Sequence, residues 1–493
     1  MKTKIFFILL FVTFIILLWI LINRKGSLNL IRTKILPIFF LGSFIFLFGL
    51  FITTCIALFT VRNSYPEEIT DKSRTVYIKK SEEGFQLIRN GKPFYIQGAA
   101  GDAHFDELAG LGGNTIRLYD TINLQRNLDE ALKYGLAVIV DIPIPMYSWI
   151  SYRNEEESRI LKQRVKFFVK KYRNHRALLM WNLGNEINYP KVHWKDFLRI
   201  DKSKINFIKT FNELIDFIHQ EDKNHPVSTS IDKIGIKQYA KLRMFSPGLD
   251  LLAFNNFGDI NNIFETINKT SDYIGAFPIY ISEFGSDGWW DNESKYTPWR
   301  SPIEQTSTKK AEQVRVRYDI IKKNSNYCLG SLIFFWGNKY ECTDTWFSLF
   351  KDEYKSEILM ETERLWKNLN NQPKLIGLEY MLVNGKGAFD HLIFTPDELI
   401  KTELKIDAIG NDSILIKWEI YPDDWQNGWF IKEYNKKILK KPSPVECFVS
   451  TEMNQASFIT PDKEGPYRIF AYIFDRNGYF ASTNTPFYVL NRK

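Results

Sequence analysis

From about Gly84 onward, short continuously apolar runs alternate with longer stretches in which apolar residues recur every three or four positions. The runs are "PFYIQGAAG", "NTIRLYD", "LAVIVDIPIP", "ALLMWNLGNE", "PVSTSI", "LLAFNNFG", "PIYISEFG" and "LGSLIFFWGN". Apolar runs of this length, bounded by Gly, Pro and Asn, read as buried strands. Between them lie helical faces: Leu161, Val165, Phe168 and Tyr172 in one stretch, Phe207, Phe211, Leu214 and Ile218 in another. Eight buried strands separated mostly by helices predict a parallel sheet closed on itself, an eight-stranded β/α barrel of the TIM type. An open doubly wound sheet is the alternative, but no Gly-rich phosphate loop follows the first strand. The segment "FQLIRNGKPFYIQG" adds an entry hairpin on an Asn-Gly turn.

Two other textures flank this pattern. Ile5 to Ile22 is apolar apart from Thr13, and Ile35 to Val61 is a second run softened by Pro37, small residues and threonines. About 20 apolar residues span a bilayer as a helix, so both runs qualify. A cleaved signal peptide would account for the first alone, but Asn23, Arg24 and Lys25 follow it in place of a small-residue cleavage site. The expected arrangement is a two-helix membrane hairpin. Arg24, Lys25, Arg32 and Lys34 place its connecting loop in the cytoplasm and everything after Val61 outside. At the other end, from about Glu403, the runs shorten and alternate: "LKIDAI", "SILIKWEIY", "VECFVS", "YRIFAYIFD", "TPFYVL". This spacing predicts a small all-β sandwich. The expected domains are therefore a membrane anchor over 1–62, an α/β catalytic barrel over 63–380 and a β-sandwich over 381–493.

Composition narrows the class. The chain has 493 residues, of which 45% are hydrophobic and 15% aromatic, enough for more than one packed core. The net charge of +8 is spread without a basic block, which argues against a nucleic-acid partner. Cys55 lies in the second apolar run, leaving Cys328, Cys342 and Cys447, an odd number without metal-ligand spacing. Cys328 and Cys342 are the pair a disulfide would use; buried free thiols are the alternative. No cofactor or metal is called for, and no protein partner is indicated.

In a β/α barrel the reactive groups sit at the C-terminal ends of the strands. Asn185 and Glu186 occupy that end of the fourth strand and Glu283 that of the seventh. Two carboxylates converging over the barrel axis suit glycoside cleavage, with their separation deciding between retention and inversion. Arg117, at the mouth of the second strand, would keep Glu283 ionised, while the neighbouring carboxylate and partial burial would hold a proton on Glu186.

The flanking residues sharpen this. "WNLGNE" with "ISEFG" resembles clan A of the glycoside hydrolases, and "LIRNGKPFYIQG" together with "YRNHRALLMWNLGNE" looks like the family 2 barrel within that clan. The resemblance spans about Gly84 to Asn338. It implies a retaining mechanism on β-linked sugars, with Glu186 as acid/base, Glu283 as nucleophile and Asn185 on the sugar 2-hydroxyl. It also implies an aromatic floor under the sugar at Trp336, and the C-terminal region resembles the immunoglobulin-like domains that accompany such barrels. Trp336 as a rim core residue is the alternative. His104 and Asp102 after the first strand, Tyr119 and Asp120 after the second, and His193 and Trp194 after the fourth are further candidates for substrate hydrogen bonds. Trp289, Trp290, Trp299 and Trp346 would line outer subsites or form a packed lid.

One position departs from the family pattern. Phe257 falls where the sixth strand usually carries a tyrosine that bonds the nucleophile. Asn255, Asn256 or Tyr119 would then orient Glu283, or the alignment slips there, or activity is reduced. The expected function is a membrane-anchored retaining β-glycoside hydrolase acting on a carbohydrate, its partners being that substrate and the lipid bilayer. A transglycosylase using the same carboxylates and an inactive glycan-binding membrane protein are the alternatives.

Overall fold

The computed structural model describes residues 74–145, 152, 154–190, 202–232, 236–291, 295–371, 375–407, 414–423 and 441–491, with isolated positions 42, 48, 49 and 52. Apart from those four positions, the two expected membrane helices lie outside the described residues, as do His193 and Trp194. Among the described residues no helix is long and apolar enough to cross a membrane. The chain divides into two compact units, Met1–Ser64 and Tyr65–Lys493, and the barrel and the sandwich both belong to the second.

A small antiparallel sheet comes first: β1 (Val76–Ser81), β2 (Gly84–Arg89) and β3 (Lys92–Pro93). The barrel is built from β4 (Ile96–Gly101), β5 (Thr115–Leu118), β6 (Ala137–Ile142), β7 (Leu178–Leu183), β8 (Val227–Ser228), β9 (Ser230–Ile231), β10 (Leu252–Asn255), β11 (Ile279–Phe284) and β12 (Cys328–Trp336). The sheet order is β8-β7-β6-β5-β4-β12-β11-β10-β9. β8 and β9 are two halves of one five-residue strand, the predicted "PVSTSI". Its first half pairs in parallel with β7 and its second with β10, so the strand changes partner at Thr229 and closes the barrel. The Thr229 hydroxyl donates to the Leu183 carbonyl at 2.8 Å across that break.

Helices link the strands on the outside: α1 (Phe105–Gly110), α2 (Leu124–Lys133), α3 (Glu155–Tyr172), α4 (Lys202–Glu221), α5 (Ile236–Phe245), α6 (Asn261–Ile274) and α7 (Ser307–Lys323). The predicted face of α3 is the buried one at Leu161, Val165 and Tyr172. Asn154 caps this helix by accepting from the amides of Glu156 and Glu157, and Glu155–Glu157 then suit the positive end of the dipole. The barrel strands are buried on both faces, as their unbroken apolar runs require of a parallel sheet covered by helices.

After the barrel come β13 (Phe350–Lys351), β14 (Tyr354–Ser356) and α8 (Glu357–Trp366). The C-terminal strands are β15 (Leu378–Val383), β16 (Ile393–Phe394), β17 (Leu399–Ile406), β18 (Leu415–Pro422), β19 (Phe448–Thr451), β20 (Gln455–Ile459), β21 (Gly465–Phe474) and β22 (Tyr479–Val489). They form two sheets, β15-β17-β20-β19 and β13-β14-β22-β21-β18, with β16 also on β22. Leu378, Ile400, Phe458, Ile469 and Phe487 lie in the core between them. The β13–β14 hairpin leaves the barrel and pairs in parallel with β22, so one sandwich sheet begins in barrel-side chain.

Cys328, Cys342 and Cys447 are free thiols, the second of the two alternatives, and no Cys328–Cys342 bridge is formed. The reason is geometric. Cys328 starts β12 and Cys342 lies beyond its far end, and nine residues at ~3.3 Å each exceed the ~7 Å a disulfide tolerates.

Candidate active site

The buried residues change character along the strands. Ile96, Ile116, Val138, Leu178 and Ile279 lie at or near strand starts, whereas Arg117, Asp141, Asn182, Asn255, Ser282 and Glu283 are buried toward the strand ends. Buried polar groups of this kind need partners, and here they supply them to one another.

Arg117 is the hub. It is completely buried, and its Nε and Nη2 hold Asp141 in a two-point pair at 3.1 and 2.6 Å. Nη1 donates to Glu283 Oε1 at 3.0 Å, and Nη2 also reaches Asn185 Oδ1 at 2.7 Å. Burial opposes the guanidinium charge, but Asp141, Tyr119 and Glu283 outweigh it and keep Arg117 firmly protonated. Asp141, on β6, is in turn held by Asn182 Nδ2 at 2.8 Å.

Asn255 connects the two glutamates. Its Oδ1 accepts from Ser282 Oγ at 2.7 Å and Arg117 Nη1 at 3.3 Å, which turns Nδ2 toward Asn185 Oδ1 at 3.1 Å and Glu186 Oε1 at 3.0 Å. Asn255 therefore orients Glu186, whereas Arg117 orients Glu283. Asn185 receives two donors on its oxygen, which leaves its amide nitrogen directed away from Arg117.

The Gly-Asn-Glu step has a backbone reason. Gly184 sits at φ 82°, and a Cβ there would lie 2.4 Å from Ile187 Cγ2 and 2.7 Å from Ile144 Cγ1. A side chain would meet two isoleucines as well as an unfavourable φ. Glu186 follows in the left-handed region at φ 48°, a conformation costing on the order of 1 kcal/mol for a non-glycine residue. This turn lifts Glu186 out of the barrel, and its side chain is exposed.

Glu283 is the opposite case, at 4% exposure. Its carboxyl is pushed up to about 7, chiefly by burial, against the pull of Arg117 and Lys339 and with a further push from Glu186. The expectation that Arg117 would hold Glu283 in the ordinary carboxylate range is corrected: desolvation outweighs the guanidinium. Tyr119 stands beside it. Its ring lies under the Arg117 guanidinium, 4.8 Å to the centroid, and its hydroxyl faces Glu283 without a hydrogen bond of standard geometry. Burial and the Glu283 charge push that phenol well above its usual range, so it is a neutral donor.

Other candidates are placed differently. Trp336 is fully buried, its indole N–H on the His104 carbonyl at 3.1 Å and its ring edge-on to Phe350 at 5.2 Å. It presents no face to a ligand, and the expected floor at this position is corrected to a rim core residue. The strand register shifts between Phe334 and Trp336, so side-chain alternation at the end of β12 does not follow the simple count. The His104 ring stacks on Phe350 at 4.1 Å, away from either glutamate's hydrogen bonds. Phe257 belongs to an aromatic wall with Trp289, Phe334, Trp346 and Phe347, its ring edge-on to Phe334 at 5.2 Å. Trp289 and Trp346 are buried in that wall, and Trp299 lies against Tyr488 of the sandwich. The residues that sequence reasoning passed over are Asp141, Asn182, Ser282 and Lys339. Among the described residues, no group of three His, Cys, Asp or Glu side chains is placed to hold a metal.

No family model matches the chain. Solved structures to which the chain is similar include a β-glucuronidase 2 of Bacteroides uniformis (TM-score 0.46, 14% identity, 84% of this chain and 48% of that one). A putative β-galactosidase of Bacteroides fragilis has TM-score 0.44 and 12% identity, covering 85% of this chain and 58% of that one. A family 2 β-galacturonidase of Eisenbergiella tayi has TM-score 0.44 and 15% identity, with 61% and 55% covered. The chain spans about half the length of these proteins.

Proposed function

We propose that the protein is a retaining β-glycoside hydrolase whose reacting carboxylates are Glu283 and Glu186. The observation that carries this reading is the bridge Glu283–Arg117–Asn255–Glu186, which holds two carboxylates from β11 and β7 over one barrel mouth. In this scheme Glu283 attacks the anomeric carbon while Glu186 gives its proton to the departing glycosidic oxygen. The exposed position of Glu186 suits a group that must meet first a leaving group and then water. Arg117 fixes the attacking oxygen, and the nitrogen of Asn185 is the donor facing a sugar hydroxyl. Glu283 must shed its proton before attack, so the acid limb of kcat/KM falls near its raised value, about 7.

The anchor expected from residues 1–62 would tether this barrel to a membrane with the site on the outer side. Transfer to an acceptor sugar in place of water uses the same two groups.

The experiment is a panel of p-nitrophenyl β-glycosides and β-linked oligosaccharides, with shortened and lengthened products both analysed, for wild type and Glu283→Ala. The expected result is release or transfer by wild type and a loss of about 10⁴-fold or more in the variant. Equal binding of oligosaccharides by both, with no turnover by either, would leave a glycan-binding protein instead.

A further inference from the structure

The sandwich is joined to the barrel mouth by a buried polar network that the proposed chemistry does not use. Glu304, Lys310, Thr343, Asn484 and Arg468 are all at least nine-tenths buried. Glu304 accepts from Thr343 Oγ1 at 2.6 Å, Thr345 Oγ1 at 2.8 Å and Asn484 Nδ2 at 2.6 Å, and it pairs with Lys310. Lys310 also donates to the carbonyls of Thr345 and Trp346, at 2.9 and 3.2 Å. From β21, Arg468 donates to Asn484 Oδ1 at 2.6 Å, Ser301 Oγ at 2.7 Å, the Pro302 carbonyl at 2.8 Å and Asp423 at 3.1 Å. Tyr472 adds a bond to Asp344 at 3.1 Å.

Nearly all of these bonds end on one segment, the 337–349 loop after β12, or on the 301–310 stretch that braces it. The loop is closed at its neck by Leu349 N–H to Gly337 O at 3.1 Å and Lys339 N–H to Ser348 Oγ at 2.8 Å. Its other side faces the candidate site. Phe347 packs on Phe257 and Phe334 at 5.4 and 5.3 Å, and the Lys339 ammonium lies 4.4 Å from the Phe334 ring centroid, paired with Glu341 at 2.8 Å. The Lys339 charge is felt at Glu283.

We propose that the C-terminal sandwich is a positioning part of the site: Asn484 and Arg468 fix the 337–349 loop and thereby hold Lys339 and Phe347 as its cationic and aromatic wall. This rests on Glu283 being a reacting group only for its kinetic consequence, since the loop's position is a separate observable. The charged and titratable groups that face Glu283 are Arg117 from β5, Tyr119 just after it, Glu186 after β7 and Lys339 from this loop, with Asp141 of β6 paired to Arg117. Of these, Lys339 alone is carried by the segment the sandwich holds.

The test is Asn484→Ala in the full chain, read by amide hydrogen exchange over 337–349 and by the pH profile of kcat/KM on a p-nitrophenyl glycoside that wild type cleaves. Loss of one buried hydrogen-bond partner is expected to lower protection of the loop by roughly tenfold while β11 and β12 keep theirs. The acid limb is expected to move to higher pH as Lys339 drifts from Glu283. Tyr472→Phe, which removes the bond from β21 to Asp344 in the loop, provides the same readout should Asn484→Ala not fold. Unchanged loop protection in the folded variant would overturn the proposal. Should wild type cleave no glycoside, the functional reading fails while the exchange result still decides this one.

Discussion

Glu283 and Glu186 end two strands of one barrel, yet the first is buried on an arginine and the second stands in solvent on a left-handed turn, with Asn255 as its donor. The difference follows from where each chain segment leaves its strand. β11 carries Glu283 as its penultimate residue, still inside the ladder, so the carboxylate points into the barrel and must find a fixed cation. β7 has already ended at Leu183, and Gly184 releases the backbone so that Glu186 projects outward. One carboxylate is held still in a low-dielectric interior, and the other can reach both ligand and water. That is the division of labour a nucleophile and a proton shuttle require.

The exposed carboxylate gives the largest expected effect. Glu186→Gln is expected to lower turnover of substrates with poor leaving groups by ~10²–10⁴-fold, and to affect p-nitrophenyl glycosides much less, because their leaving group needs no proton. Steady-state kinetics on the two substrate types checks this. Asp141→Asn acts on the buried member through Arg117. With the two-point pair gone, more of the guanidinium charge falls on Glu283, so the acid limb of kcat/KM moves to lower pH. The damaged buried pair costs about 3 kcal/mol in a denaturant titration.

Glu283→Gln sharpens the contrast through stability. The folded-state value of Glu283, about 7, lies above its ordinary 4.5, so folding favours the protonated form. The associated stability is full below the unfolded value and is lost as pH rises through about 7. The variant, which cannot ionise, is therefore expected to be more stable than wild type at pH 8, by up to ~3 kcal/mol, with the difference vanishing near pH 4. Thermal melts across that range are the measurement. Asn255→Ala is the mildest: it frees Glu186 and lowers kcat/KM by roughly tenfold, the worth of one positioned hydrogen bond.

Much of this architecture was legible in the chain. Each barrel strand lies within a predicted apolar run, except that β12 starts one residue before its own, and both glutamates were visible because polar residues end otherwise apolar strands. The partner change at Thr229 left no mark, since a strand that switches neighbours has the same composition as one that does not. Asp141 left a mark that went unused. A carboxylate inside "LAVIVDIPIP" cannot be buried unpaired, and Arg117 in "NTIRLYD" was the buried cation available to it. Trp336 was misplaced because strand-end counting assumes regular alternation, and β12 shifts register before it. The value at Glu283 was misjudged because a cation can be read from sequence, whereas the depth of burial that outweighs it cannot.

In the proposed mechanism the buried carboxylate is the one that bonds to sugar. Wild-type protein incubated with 2-deoxy-2-fluoro-β-glycosides carrying an activated leaving group, then digested and mapped by mass spectrometry, tests this directly. The expected result is a glycosyl adduct on the peptide containing Glu283, at that residue. An adduct on Glu186, or on any other side chain, would contradict it.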